Sequence, residues 1–425
     1  MASKYWVGGA PAVAQVAQAT VTGYDGGTTY KVAIGGVVVS VVGSVDANGT
    51  AVALVAALEA STHPYFQAVN WTAPGGGVVR GTAATAGCPF VFSTSVVGGA
   101  GTFGAYSVTT ANAGPYSWDT AANWSDGVVP VNGDTVAFPS GAVNCLWGLD
   151  QSSVNLAVLR SLKAYTGYVG LNAQRFASNA AGTSYATWNG LDVPEYRTHY
   201  LTLDYVTAGD LGDSNGPVTG DGSGRFKLSC ASGSTASTIV IHDTASQAAE
   251  TGLGAVRLLG NVNTMDVFVK KAPGGVGIAA DVPGETTTIR KVSISDRTAA
   301  SQVILGAGVA ITTWEQSGGN NVLRAAATVT TATVSGGALR TEGDFTLTTA
   351  NVSGGELKAN HIKTAAAAIT TANVSGGLLD GTGSAQPRTW TTVNRSSQGR
   401  VKVNSTYLTM TNPPVCLDGM TIGPA

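Results

Sequence analysis

The chain has 425 residues, 57 of them glycine, and only 11% Asp, Glu, Lys and Arg, against roughly 25% in an ordinary soluble protein. Its 44% hydrophobic residues contain no apolar run of the 18 or so that a transmembrane helix needs, and its glycines lack the three-residue period of collagen. The formal net charge of -2 gives no electrostatic footprint for nucleic acid, so neither nucleic acid nor membrane is an expected partner.

The start, Met1 to Gly9, has one lysine and no apolar core of the length a secretory signal needs. A composition rich in Gly, Thr, Ser, Ala and Val is nevertheless that of long β-structures that work outside cells. A virion protein, assembled in the host cytoplasm and released by lysis, reconciles the two. Cys88, Cys145, Cys230 and Cys416 are far apart and form no Cys-x-x-Cys pair, so they read as small apolar residues.

Residues 1–113 read as an α+β module. Thr28 to Ile34, Gly35-Gly36 and Val37 to Val42 form a β-hairpin pattern. A helix is expected over Ala51 to Ala60, where Leu54, Ala57 and Leu58 share a face, with Asn48 or Thr50 as its cap. Strands are expected at Phe66 to Thr72, Val78 to Thr82 and Pro89 to Ser95. Gly99-Ala100-Gly101-Thr102-Phe103-Gly104 matches G-x-G-x-x-G, but a strand-like run follows instead of a helix, so a loop is expected rather than a phosphate site. The string from Tyr30-Lys31-Val32 through Ala51 to Leu58 and on to Gly81-Thr82 and Gly87-Cys88-Pro89-Phe90 resembles a small module repeated in structural proteins of tailed bacteriophages.

Residues 114–134 contain Trp118-Asp119, Asn123-Trp124-Ser125, Gly127, Pro130 and Gly133-Asp134. This segment resembles the W-D-x-A-x-N-W-S-x-G-x-x-P-x-x-G-D motif that leads into parallel β-helices of bacterial surface and phage proteins. Trp118 and Trp124 are large enough to cap the open end of such a core. Further on, Thr330 to Gly337, Thr348 to Gly355 and Thr370 to Gly377 are near copies, with a degenerate one at Thr312 to Gly319 in which Gln316 stands for Val334. A repeat of about 20 residues suits one coil of a solenoid. Leu339, Leu357 and Leu379 are expected to stack inside it, and Asn351 and Asn373 to hydrogen-bond along the axis. The expected fold is therefore mainly β: a right-handed parallel β-helix over residues 114–390, closed by a C-terminal cap over residues 391–425, where Arg395, Arg400 and Lys402 bring charge.

Candidate chemistry is sparse. His63, His199, His242 and His361 show no metal-ligand spacing. In the loop Asp210 to Gly222, Asp213, Asn215 and Asp221 offer hard oxygens for calcium, but a surface turn is the simpler reading. Asp192, Glu195 and Asp204, beside Tyr196, Tyr200 and Tyr205, are the best carboxylates for a glycan-cleaving pair. The expectation is a non-enzymatic virion protein without metal, cofactor or catalytic residues. It would decorate or stabilise the capsid, or form a short tail fibre, through contacts with other virion proteins. By resemblance it would be a homo-oligomer, with a trimer as the expected form. A receptor-binding or glycan-degrading tail spike and a bacterial surface adhesin or filament protein are the alternatives.

Overall fold

A computed structural model describes residues 2–170, 187–188, 191–192, 200–211, 225–230, 237–244, 255–260, 265–279, 287–296, 302–306, 308–323, 327–342, 345–359, 367–383, 385–404, 406–412 and 415–416. The protein is mainly β, with a small N-terminal module and a parallel β-solenoid. One 22-stranded sheet path winds through the solenoid. Lys4, Val136, Leu159, Gly209, Ile239, Val267, Val292, Trp314, Ala332, Ala350, Ala372 and Val393 lie one above the next in parallel register. On a second face Val169, Phe226, Val256, Val276 and Val303 stack in the same way, and beyond them Asn321, Leu339, Leu357, Leu379 and Val401. The leucine ladder is thus as expected, with Leu339, Leu357 and Leu379 fully buried.

Coil length is less regular than the repeat implies. The C-terminal coils advance by 18, 22 and 21 residues, whereas Leu159 is followed in register only by Gly209. The Ser-Gly-Gly corners follow from stacking at its tightest. Gly337, Gly355 and Gly377 have φ of 71°, 67° and 69°, which other residues adopt only with strain. A Cβ on Gly355 would also lie 2.4 Å from the carbonyl oxygen of Gly337.

Two boundaries differ from expectation. Ser3–Tyr5 does not belong to the module: it pairs in parallel with Thr135–Gly141 as the first rung of the solenoid. The chain then leaves to build the module, whose ends meet where Val13 and Ala113 bridge. Three residues without alternation give no strand signal in the sequence. At the other end, the parallel pairing runs on past residue 390 through the described residues of the C-terminal cap segment. Arg388–Arg395, Arg400–Val403, Leu408–Met410 and Val415–Cys416 continue the parallel pairing, and Trp390 and Val393 are buried in its core.

In the module the hairpin Thr29–Ile34 with Val37–Val42 is as expected, and Ser93–Val97 completes its sheet. The helix begins earlier, spanning Ala47–Glu59, because Asp46 is the cap: its carboxylate accepts from the Gly49 N–H at 2.6 Å. Phe66 lies in a short helix, Pro64–Gln67, ahead of the strand Val69–Gly75. Pro89 to Phe92 precede the strand Ser93–Val97 instead of forming it. Leu54, Leu58, Phe66, Trp71 and Phe92 share the module's core.

One coil carries polar groups in that apolar interior. Gln316 and Asn321 are buried where neighbouring coils have valine and leucine. The Gln316 Oε1 accepts from Trp314 Nε1 at 3.0 Å and Asn321 Nδ2 at 3.2 Å, its Nε2 donates to the Gly336 carbonyl, and Asn321 Oδ1 accepts from the Val303 N–H. Satisfied in this way, the pair is tolerated.

Gly355→Ala should destabilise the protein by roughly 1–3 kcal/mol in denaturant unfolding, whereas Ser353→Ala should change little. Gln316→Val, which leaves the buried Trp314 N–H without its acceptor while Asn321 keeps its bonds to Gly318 and Val303, should cost about 1–3 kcal/mol in the same measurement.

Candidate functional site

The most specific sequence motif builds the closed end of the solenoid. Trp6, Trp118, Trp124 and Phe138 are all buried and belong to the solenoid's own hydrophobic cluster. Trp124 meets Trp118 edge-on with centroids 4.7 Å apart, and Trp6 at 5.2 Å. The motif's polar residues hold this plug. Trp124 Nε1 donates to the Trp118 carbonyl at 2.7 Å. The fully buried Asn123 donates to the Gly114 and Ser117 carbonyls and accepts from the Ala10 N–H. Ser125 Oγ accepts from Tyr5 N–H, and Asp134 accepts from the N–H groups of Ala2 and Val131.

Lys4 ties the first rung to the motif. Its side chain is 4% exposed and donates to Asp126 Oδ2 at 2.7 Å and to the Val128 carbonyl at 3.2 Å. The Lys4 ammonium holds the Asp126 carboxyl below its ordinary 3.8. Burial instead raises Asp119, against the opposing hydrogen bond from Gln151. It also pushes the Cys145 thiol well up, which keeps it in the unreactive protonated form. Cys145 and Cys230 are buried, as expected of small apolar residues, whereas Cys88 is half-buried; the Cys416 side chain lies outside the described residues.

The solenoid's two outward faces differ in chemistry. On the first, Thr313, Thr331, Thr349, Thr371 and Thr392 form one column. Thr333, Asn351, Asn373 and Asn394 form a second, two residues along each strand. The expected asparagine ladder is present and one member longer: Asn373 Nδ2 donates to Asn351 Oδ1, and Asn394 Nδ2 to Asn373 Oδ1, both at 2.9 Å. On the second face the outward columns over the same coils hold Ala338, Glu356, Leu378 and Arg400, and Arg340, Lys358, Asp380 and Lys402. The charge of this part of the rod gathers on one side.

Among the described residues, the other sequence candidates do not converge. His63 is buried against Tyr65 and Phe66, and that burial lowers its pKa. His242 sits 3.3 Å from Lys270 Nζ. His199, His361 and Glu195, with Asp213, Asn215 and Asp221 of the candidate calcium loop, lie outside the described residues, as do the side chains of Asp192 and Asp204. Asp210 continues the strand Leu201–Leu211 instead of opening that loop. Among the described residues no three His, Cys, Asp or Glu are grouped to hold a metal. The G-x-G-x-x-G segment is a loop running into the strand Thr102–Phe103. Asp25 and Thr28 hold it, accepting from the N–H groups of Ala100 and Gly101. No known protein family, curated protein or solved structure matches the chain.

Lys4→Ala should cost about 1.5–3 kcal/mol, the value of a buried charged donor's hydrogen bond, and should expose the Trp6 indole in fluorescence. Because the folded-state pKa of Asp126 is depressed, its share of the attraction is present at neutral pH and lost as pH falls through that value. The stability gap between wild type and Lys4→Ala should therefore narrow below about pH 3.8.

Proposed function

We propose that the protein is a structural component of a bacteriophage virion, a head-decorating or bracing protein or a short fibre, acting through protein–protein contacts. The resemblance of residues 114–134 to the segment that leads into phage β-helices supports this reading, since here those residues anchor both the first rung and the plug. The observation that carries it is the module's sheet. Val37–Val42 is an edge strand without a charged residue, and Val38, Val42 and Val97 are 51%, 60% and 55% exposed on the sheet's outward side. An uncharged edge with exposed valines is a template for another chain's strand. Oligomerisation would use the same edge.

Antibody raised against the purified chain should label phage particles from lysates of cells that make it, and Val38→Lys with Val42→Lys should abolish incorporation without altering circular dichroism. Particles that contain none of the chain would overturn the reading.

A further inference from the structure

We propose that the threonine and asparagine face of the C-terminal coils binds ice. This inference is independent of the virion reading.

The two outward faces of these coils are asymmetric in a way that strand propensity does not explain. Threonine suits strands generally, so propensity alone would place it on both. Instead the outward columns of the second face carry no threonine between Ala338 and Lys402, while those of the first carry only Thr and Asn between Thr331 and Asn394. Thr330, Thr348 and Thr370, beside the main column, are exposed. The two faces belong to the same coils and bear the same stacking demands, so the difference selects for something outside the coil.

The chemistry of the array narrows the ligand. Between Thr331 and Asn394 it has no charge for a nucleic acid, an anionic glycan or a lipid headgroup, and the charged residues next along its columns, Lys291 and Glu315, are paired with each other. The aromatic residues described in these coils, Trp314, Phe345 and Trp390, are buried in the core, which leaves no ring among the described residues of this face on which a neutral sugar would stack. An area of roughly 19 Å by 13 Å, about 250 Å², falls well below the roughly 800 Å² per partner of a stable protein interface. The face also lacks the Trp, Tyr or Arg anchors that such interfaces use.

Crystalline water meets each of these terms. A threonine hydroxyl donates one hydrogen bond and accepts two, so it can replace a water in a hydrogen-bonded lattice, and its methyl group fills the space between. The χ1 of threonine is stiff, and in-register parallel pairing fixes the columns at a spacing of about 4.8 Å along the axis. Little side-chain entropy is then lost on adsorption. The amide ladder immobilises Asn351 and Asn373 in the same way. Many weak contacts made at once to a rigid lattice add as multivalent contacts do.

The test uses the full-length chain, fluorescently labelled, overgrown by a single ice crystal, together with a recrystallisation assay at micromolar protein. The wild type should enter the ice and arrest grain growth. Thr349→Lys and Thr371→Lys should each weaken the arrest at least tenfold with unchanged circular dichroism, whereas Lys358→Ala on the opposite face should not. Thr349→Ser, which keeps the hydroxyl and loses the methyl, should fall between. Exclusion of the wild type from ice would overturn the proposal, as would equal loss in the Lys358→Ala control. So would a dimer in sedimentation equilibrium that Thr349→Lys dissolves, since it would assign the face to a second copy.

Discussion

In a parallel solenoid each backbone N–H and C=O finds its partner in the adjacent coil, about 4.8 Å away, so every residue must sit over its counterpart. This requirement of like over like governs the rest of the molecule. Glycine over glycine is forced at Gly337 and Gly355, where a methyl group would meet the carbonyl beneath. Leucine over leucine fills the interior, and alanine beneath Trp314 keeps the coils narrow once one large ring has been placed. The same rule explains why Gln316 and Asn321 come together. A single buried amide in an apolar stack would lack a partner, whereas two in one coil satisfy each other and a tryptophan N–H.

An unending stack has no natural stop, and its terminal coil would leave apolar side chains facing water. At the N-terminal end that problem is solved by bulk and by hydrogen bonding together. Three tryptophans fill the opening, while Asn123, Asp134 and Lys4 satisfy the backbone and charged groups that the plug covers. The buried Lys4 ammonium lies between two carboxylates, the 40% exposed Asp126 at 2.7 Å and the buried Asp134 at 3.8 Å, and this pairing together with the hydrogen bonds to both acids offsets its desolvation.

The C-terminal coils are legible in the sequence because their copies are short, close together and nearly identical, so the repeat alone places their leucine, glycine and asparagine positions. The tryptophan plug is legible because Trp118 and Trp124 stand in a recognisable spacing. Its third member is not. Trp6 follows a strand of three residues, too short to show alternation, and that strand's pairing with Thr135–Gly141 is set by a tertiary contact that local pattern does not carry. The coils between Leu159 and Ile294 are obscure for a different reason. Their intervals vary, so no period accumulates, and Lys227 and Arg257 are buried at positions where alternation predicts exposure. The contrast between the two outward faces is hidden in the linear sequence because strand propensity explains threonine at each single position; only the register shows that it is confined to one side.

The insertion of the module between the first and second rungs has a consequence for the order of assembly. Ser3–Tyr5 is made first and cannot pair until Thr135–Gly141 exists. At about 5–20 residues per second that delay is roughly 7–26 s of synthesis. The module, whose own contacts all fall within the intervening chain, has that interval in which to fold. Once folded, it holds Val13 against Ala113, which replaces a loop of about a hundred flexible residues by a rigid clamp with adjacent ends. The entropic barrier to closing the solenoid's first coil then falls toward that of a short loop.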